Sequence, residues 1–159
     1  MFKFSHRVLI TLSGALWLAM GFYLMPLGIN FLIKSGQERE GHFYLLNSLN
    51  SMGISTESAA LILIAFGLAI GYGKSRMIFS KAVKRGVAHI RTLPEKASIA
   101  SVYTPKYLLL LSIMVLLGLS MKWLKVPLDI RGFIDIAVAS ALINGSMMYF
   151  RQASEMPST

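Results

Sequence analysis

The stretch AFGLAIGYGKSRMIF, Ala65 to Phe79, decides the fold, because its Gly73-Lys74-Ser75 can be read in two incompatible ways. A phosphate-binding loop needs Gly-x-x-x-x-Gly-Lys-Ser/Thr between a strand and a helix, so that backbone N–H groups surround the phosphates. The first glycine of that pattern should stand at position 68, which is Leu68; Gly67 misses it by one, and no β-like run precedes it. What precedes it is ESAALILIAFGLAIGY, a continuous apolar run opened by a helix-start signal, STES, and followed by Lys74, Arg76, Lys81, Lys84 and Arg85. An apolar helix that runs into a basic cluster is the pattern of a membrane span leaving the bilayer on the cytoplasmic side. The nucleotide reading is rejected.

The rest of the chain agrees. Of 159 residues, 55% are hydrophobic and 14% charged, where a soluble domain carries about 25% charged residues. Four segments approach the ~20 residues that a bilayer requires: Val8–Ile33, Ser55–Phe79, Lys106–Leu124 and Ile130–Phe150. The second is purely apolar only over Ala59–Tyr72, and the fourth contains Asp135 and Asn144, but both lie beside clearer spans. The expected fold is an all-α integral membrane protein, one domain over residues 1–159, with four transmembrane helices.

Charge sets the expected orientation. Eleven basic residues, Lys3, Arg7, the eight from Lys74 to Lys106 and Arg151, fall on one side of these spans; five, Lys34, Arg39, Lys122, Lys125 and Arg131, fall on the other. The positive-inside bias then places both termini in the cytoplasm, with a bacterial cytoplasmic membrane as the expected location. It also accounts for the net charge of +9 without nucleic acid as a partner. The first apolar run is longer than a signal-peptide core and lacks a small-x-small cleavage site, so it reads as a retained helix. With no cysteine, thiolate metal sites and disulfides are excluded. His6, His42 and His89 are scattered, and no metal or cofactor is expected.

The second and fourth segments resemble each other. Laying Ala60–Ala82 over Gly132–Ala153, with Lys74 left unmatched, gives 22 pairs of which nine are identical; PLGIN (26–30) and PLDIR (127–131) close the odd spans. The expectation is a parallel tandem repeat of two-helix units, residues 7–93 with a basic extension over about 74–93, and residues 106–153. Ala65, Ala69 and Gly73 recur every fourth residue, as do Ala137, Ala141 and Gly145. Small residues let helices approach closely in lipid, so the two even helices are expected to pack through these ladders. Gly67 and Gly71 add a second small pair, for another helix or a second copy of the chain.

Polar chemistry concentrates in PLDIRGFID, 127–135. Asp129 stands where an N-cap of the fourth helix belongs. Arg131 and Asp135, four apart, can pair on one face; an intramembrane Asp135 is also a candidate substrate or ion site. Asn144 lies about 180° from Asp135 on the helix and is expected to hydrogen-bond across to another helix. Outside the spans, HFYLLNSLNSMG (42–53) fits a short interfacial helix or a loop. MIFSKAVKRGVAHIRTL (77–93) carries an apolar stripe of Phe79, Val83, Val87 and Ile90, with Lys81, Lys84, Arg85 and Arg91 on other faces. That basic helix, with Lys74 and Arg76, is expected to meet anionic headgroups or an acidic partner.

No catalytic constellation emerges, and the expectation is not an enzyme. Two classes remain. One is a homo-oligomeric transporter or channel for a small solute or ion, with Asp135, Arg131, Asp129 and Asn144 as candidate site residues. The alternative is a non-catalytic subunit that anchors or assembles a larger membrane complex.

Overall fold

A computed structural model describes residues 3–38, 43–94, 97–98 and 105–155. Among the described residues it is all-helical apart from one pair of two-residue strands. Helix α1 spans His6–Gln37, α2 Tyr44–Asn50, α3 Thr56–Lys74, α4 Ser80–Thr92, α5 Pro105–Trp123 and α6 Leu128–Ser154. A π-helical turn, Ser75–Phe79, joins α3 to α4, so the chain runs helically from Thr56 to Thr92 as the apolar stripe predicts. The STES start signal is also realised: Ser55 caps α3 by accepting from the Ser58 N–H.

Three helices, α1, Thr56–Met77 and α6, are long and apolar enough to cross a membrane among the described residues. Much of their apolar surface faces outward: Phe22, Tyr23, Leu61, Phe66 and Tyr72 are all at least half exposed. Apolar exposure on this scale is costly in water and ordinary in lipid.

The centre of the fold is an antiparallel pair, α1 against α6, held by a seam of small residues. Gly14, Gly21, Gly28 and Ser35 recur every seventh residue on α1; Gly132, Ala139, Ser146 and Ala153 do so on α6, and all eight are buried. A seven-residue period keeps one face of a helix on its partner, and Gly, Ala and Ser let the backbones close together. The approach is near contact. A Cβ on Gly28 would lie 2.8 Å from the Gly132 carbonyl oxygen, and one on Gly132 would lie 2.8 Å from that of Gly28. A Cβ on Gly21 would stand 2.7 Å from Ile143, and one on Gly14 2.9 Å from Tyr149.

Helix α3 packs on α6 through Gly67 and Gly71, not through the expected ladder. A Cβ on Gly67 would meet Ile136 at 3.1 Å, and one on Gly71 would collide with the Ala137 carbonyl. Ala65, Ala69 and Gly73 face outward, and open space surrounds Gly73. The reason is angular. Two residues along a helix is about 200°, so the ladder lies opposite Gly67 and Gly71, and the glycines offer the closer approach. On α6, Ala141 and Gly145 are buried, with Gly145 set against the Trp17 ring of α1.

Two apolar clusters flank this frame. At one end Leu9, Ile10 and Trp17 of α1 meet Val83, Val87 and Ile90 of α4 and Leu142, Tyr149 and Ala153 of α6. Phe79, from the π turn, sits edge-on to Trp17 with ring centroids 5.0 Å apart. The same end is tied by backbone pairing of Lys3–Phe4 with Ala97–Ser98. His6 adds to it, donating from Nε2 to the Leu93 carbonyl at 2.9 Å. Both ends of the described chain therefore lie at one end of the bundle. At the other end Leu32, Phe43, Leu46, Ala59, Leu63 and Ile136 form the second cluster. There α2 docks, and Lys125, in the left-handed region at φ 50°, ends α5 with Val126 N–H bonded back to the Met121 carbonyl.

Candidate functional site

Midway along the bundle, α1, α5 and α6 line a partly open cavity of about 290 Å³. Its wall is almost wholly apolar: Leu16, Trp17, Met20 and Tyr23 from α1, Ile113 and Leu117 from α5, Val138 and Leu142 from α6. The exception is Asp135. It is 7% exposed, and its buried Oδ2 has no hydrogen-bond partner. With α6 starting at Leu128, Asp135 lies seven residues in, about 10 Å from the helix start at ~1.5 Å per residue.

The expected Arg131–Asp135 ion pair is not made. Among the described residues the ion pair that forms is Arg151 with Glu155, on the surface. The Arg131 guanidinium instead lies over the Phe31 ring, 4.6 Å from its centroid, while its buried Nε lacks a hydrogen-bond partner. Spacing of four permits a pair but does not compel one. A ring face on the neighbouring α1 is a competing partner worth about 0.5–2 kcal/mol for a cation.

Asp129 is fully buried and serves two helix starts, the first turn of its own α6 as expected and that of α2. The residue before α6 is Pro127, whose side chain makes no cap. Asp129 Oδ2 accepts from the N–H groups of Leu45 at 2.7 Å and Leu46 at 3.3 Å, in the first turn of α2, while Oδ1 accepts from Ile130 N–H at 2.8 Å. It is therefore a structural clamp between distant parts of the chain, outside the cavity. Asn144 is likewise not interhelical: its Nδ2 donates to the Ser140 carbonyl within α6 at 2.8 Å. The polar contact between α3 and α6 comes from Ser140, whose hydroxyl donates to the Leu68 carbonyl at 3.0 Å. Of the four candidate site residues, only Asp135 lines the central cavity. Sequence reasoning finds the helix α5 but misses Trp17, Tyr23, Ile113 and Leu117 as parts of this wall, since apolar wall residues carry no pattern of their own.

The basic residues Lys74, Arg76, Lys81, Lys84, Arg85 and Arg91 are all exposed, on the helical arm from the end of α3 to α4. Arg76 reaches the Tyr72 ring at 5.8 Å. His42 lies outside the described residues.

The fold and the cavity define a class: an all-helical protein with three long apolar helices, consistent with a membrane protein. Neither a family model, nor a curated protein, nor a solved structure matches the chain.

Proposed function

We propose that this chain is a four-span membrane protein with both termini cytoplasmic, acting as a homo-oligomeric transporter or channel whose solute site is the cavity beside Asp135. One observation carries the reading: a carboxylate buried within an apolar helix lines a cavity of about 290 Å³ and leaves an oxygen without a partner. Such a group is expensive inside a bilayer and is retained where it serves a solute or ion. Helix α5, 19 residues long, supplies the fourth span. Lys81, Lys84, Arg85 and Arg91 on α4 lie against anionic headgroups, since Val83, Val87 and Ile90 are turned inward.

Supporting the duplication of the two halves, the single unmatched residue, Lys74, abuts the π turn Ser75–Phe79. A π turn is what one extra residue makes of an α-helix.

The test is flux. Proteoliposomes holding this protein alone are expected to pass at least one solute from a panel of alkali cations, protons, amino acids and small amines faster than empty liposomes. Asp135→Asn should lower that flux about tenfold or more while the protein stays monodisperse. A second reading, a subunit of a larger complex, is favoured by the outward small ladder Ala65, Ala69 and Gly73, where a foreign helix can approach closely. No protein-dependent flux, together with a foreign chain in fixed ratio after purification in mild detergent, would replace transport by assembly.

Orientation has its own test. With no native cysteine, a cysteine at the exposed Met52 is expected to react with an impermeant thiol reagent in intact cells. One at the exposed Ser154 should react only after the membrane is opened. The reverse order overturns the assignment.

A further inference from the structure

We propose that the cavity beside Asp135 takes a lipophilic monocation, a protonated amine carrying an apolar body of about two rings; this rests on the solute-site reading above. Elimination among ligand classes leads there. A sugar or amino acid needs several polar partners, yet Asp135 is the one acidic or amide side chain on the wall among the described residues. A bare metal cation needs about six oxygen ligands, which this wall does not bring together. An anion would meet the carboxylate. A neutral apolar molecule would fill the space but leave Oδ2 unpaired, at the cost of a desolvated acceptor.

An ammonium with an apolar body answers every part of the wall. Its N–H groups donate to Asp135 in a charge-assisted bond, and its body replaces contacts with water by contacts with Leu16, Met20, Ile113 and Leu142. Trp17 and Tyr23 add aromatic surface to the same wall. Arg131 makes no ion pair with the carboxylate among the described residues, and its guanidinium lies over Phe31. The volume sets the size: about 290 Å³ is roughly twice the ~150 Å³ cavity that holds one benzene.

Dibenzylammonium and its neutral carbon isostere, 1,3-diphenylpropane, make the matched pair of probes. The chain has two tryptophans, Trp17 on the cavity wall and Trp123, which is 87% exposed, so Trp123→Phe leaves Trp17 as the sole tryptophan, read by selective tryptophan excitation. The protein is held in nanodiscs of neutral phosphatidylcholine, and affinities are compared per ligand in the bilayer. Dibenzylammonium is expected to bind about tenfold or more tightly than 1,3-diphenylpropane. In Asp135→Asn the two should fall within about threefold of each other, because the neutral amide removes the charge and keeps the shape.

Equal binding of both probes to the protein with Asp135 intact overturns the cation while leaving a solute cavity. A preference for the ammonium that persists in Asp135→Asn overturns it in the same way. No Trp17 response to either probe overturns the inference and the solute-site reading together. Should Asp135→Asn fail to fold, the comparison of the two probes on the intact carboxylate decides alone.

Discussion

Gly28→Leu is expected to leave little folded protein, whereas Gly73→Leu should be tolerated. At Gly28 a Cβ would already stand 2.8 Å from both the Gly132 carbonyl oxygen and the Ile136 side chain. A flexible side chain could swing aside, but a helix backbone cannot without moving the whole of α6. Overpacking typically costs about 1–3 kcal/mol where the neighbours are side chains. Here part of the obstruction is α6 main chain, the Gly132 carbonyl and the Ile136 nitrogen, so the loss should reach about 3 kcal/mol or more, a large share of a typical ~5–15 kcal/mol stability. At Gly73 nothing lies within 4 Å, and a leucine also favours the helix. Thermal unfolding midpoints and monodispersity in mild detergent separate the two. Equal midpoints would remove the α1–α6 seam as the centre of the fold.

That seam is legible in the sequence, at a period different from that of the ladders. Gly14, Gly21 and Gly28 stand seven apart in the first span, and Gly132, Ala139, Ser146 and Ala153 answer them in the last. In lipid, small residues at any helical period can make a contact face. Sequence alone does not rank the four-residue ladder of Ala65, Ala69 and Gly73 against the seven-residue row. The structure ranks them by Cβ: the rows richest in glycine are buried, and the alanine ladder of α3 is left outside. Local patterns are more reliable guides. Val83, Val87 and Ile90 are buried as their stripe requires, because a polar helix with one apolar row has a single way to dock.

The polar residues divide along the same line. Asp135 can be singled out because a charge within an apolar run stands out at short range. Its cavity cannot, since that wall comes from three helices far apart in sequence. Arg131 is readable as half of a pair with Asp135, yet Phe31, a hundred residues earlier, holds it instead. Asp129 looks like a local cap because caps are recognised by sequence adjacency. It does serve the adjacent Ile130 N–H, but the two other N–H groups it holds are 83 and 84 residues away, which adjacency cannot show.

That long reach makes Asp129→Ala the second large effect. Helix α2 has seven residues and begins after Phe43, whose side chain cannot accept a hydrogen bond. A helix this short does not hold itself together, since nucleation cost is not recovered over two turns. Its first free N–H groups, of Leu45 and Leu46, end on the fully buried Asp129 carboxylate. Alanine would strand both donors and remove a charge-assisted cap, for an expected loss of about 2–3 kcal/mol. The damage should be local first. Leu46, 1% exposed and part of the cluster with Leu32 and Ile136, should open while the α1–α6 pair persists. Amide hydrogen exchange over residues 44–50 is expected to accelerate about 30-fold or more in Asp129→Ala, the rate ratio for ~2 kcal/mol. Exchange along α6 beyond Ile136 should stay slow. Asp129→Asn keeps one carbonyl acceptor and should fall between the two. Unchanged exchange over 44–50 in Asp129→Ala would mean that the carboxylate does not hold α2 in place, and that packing of Leu46 alone suffices.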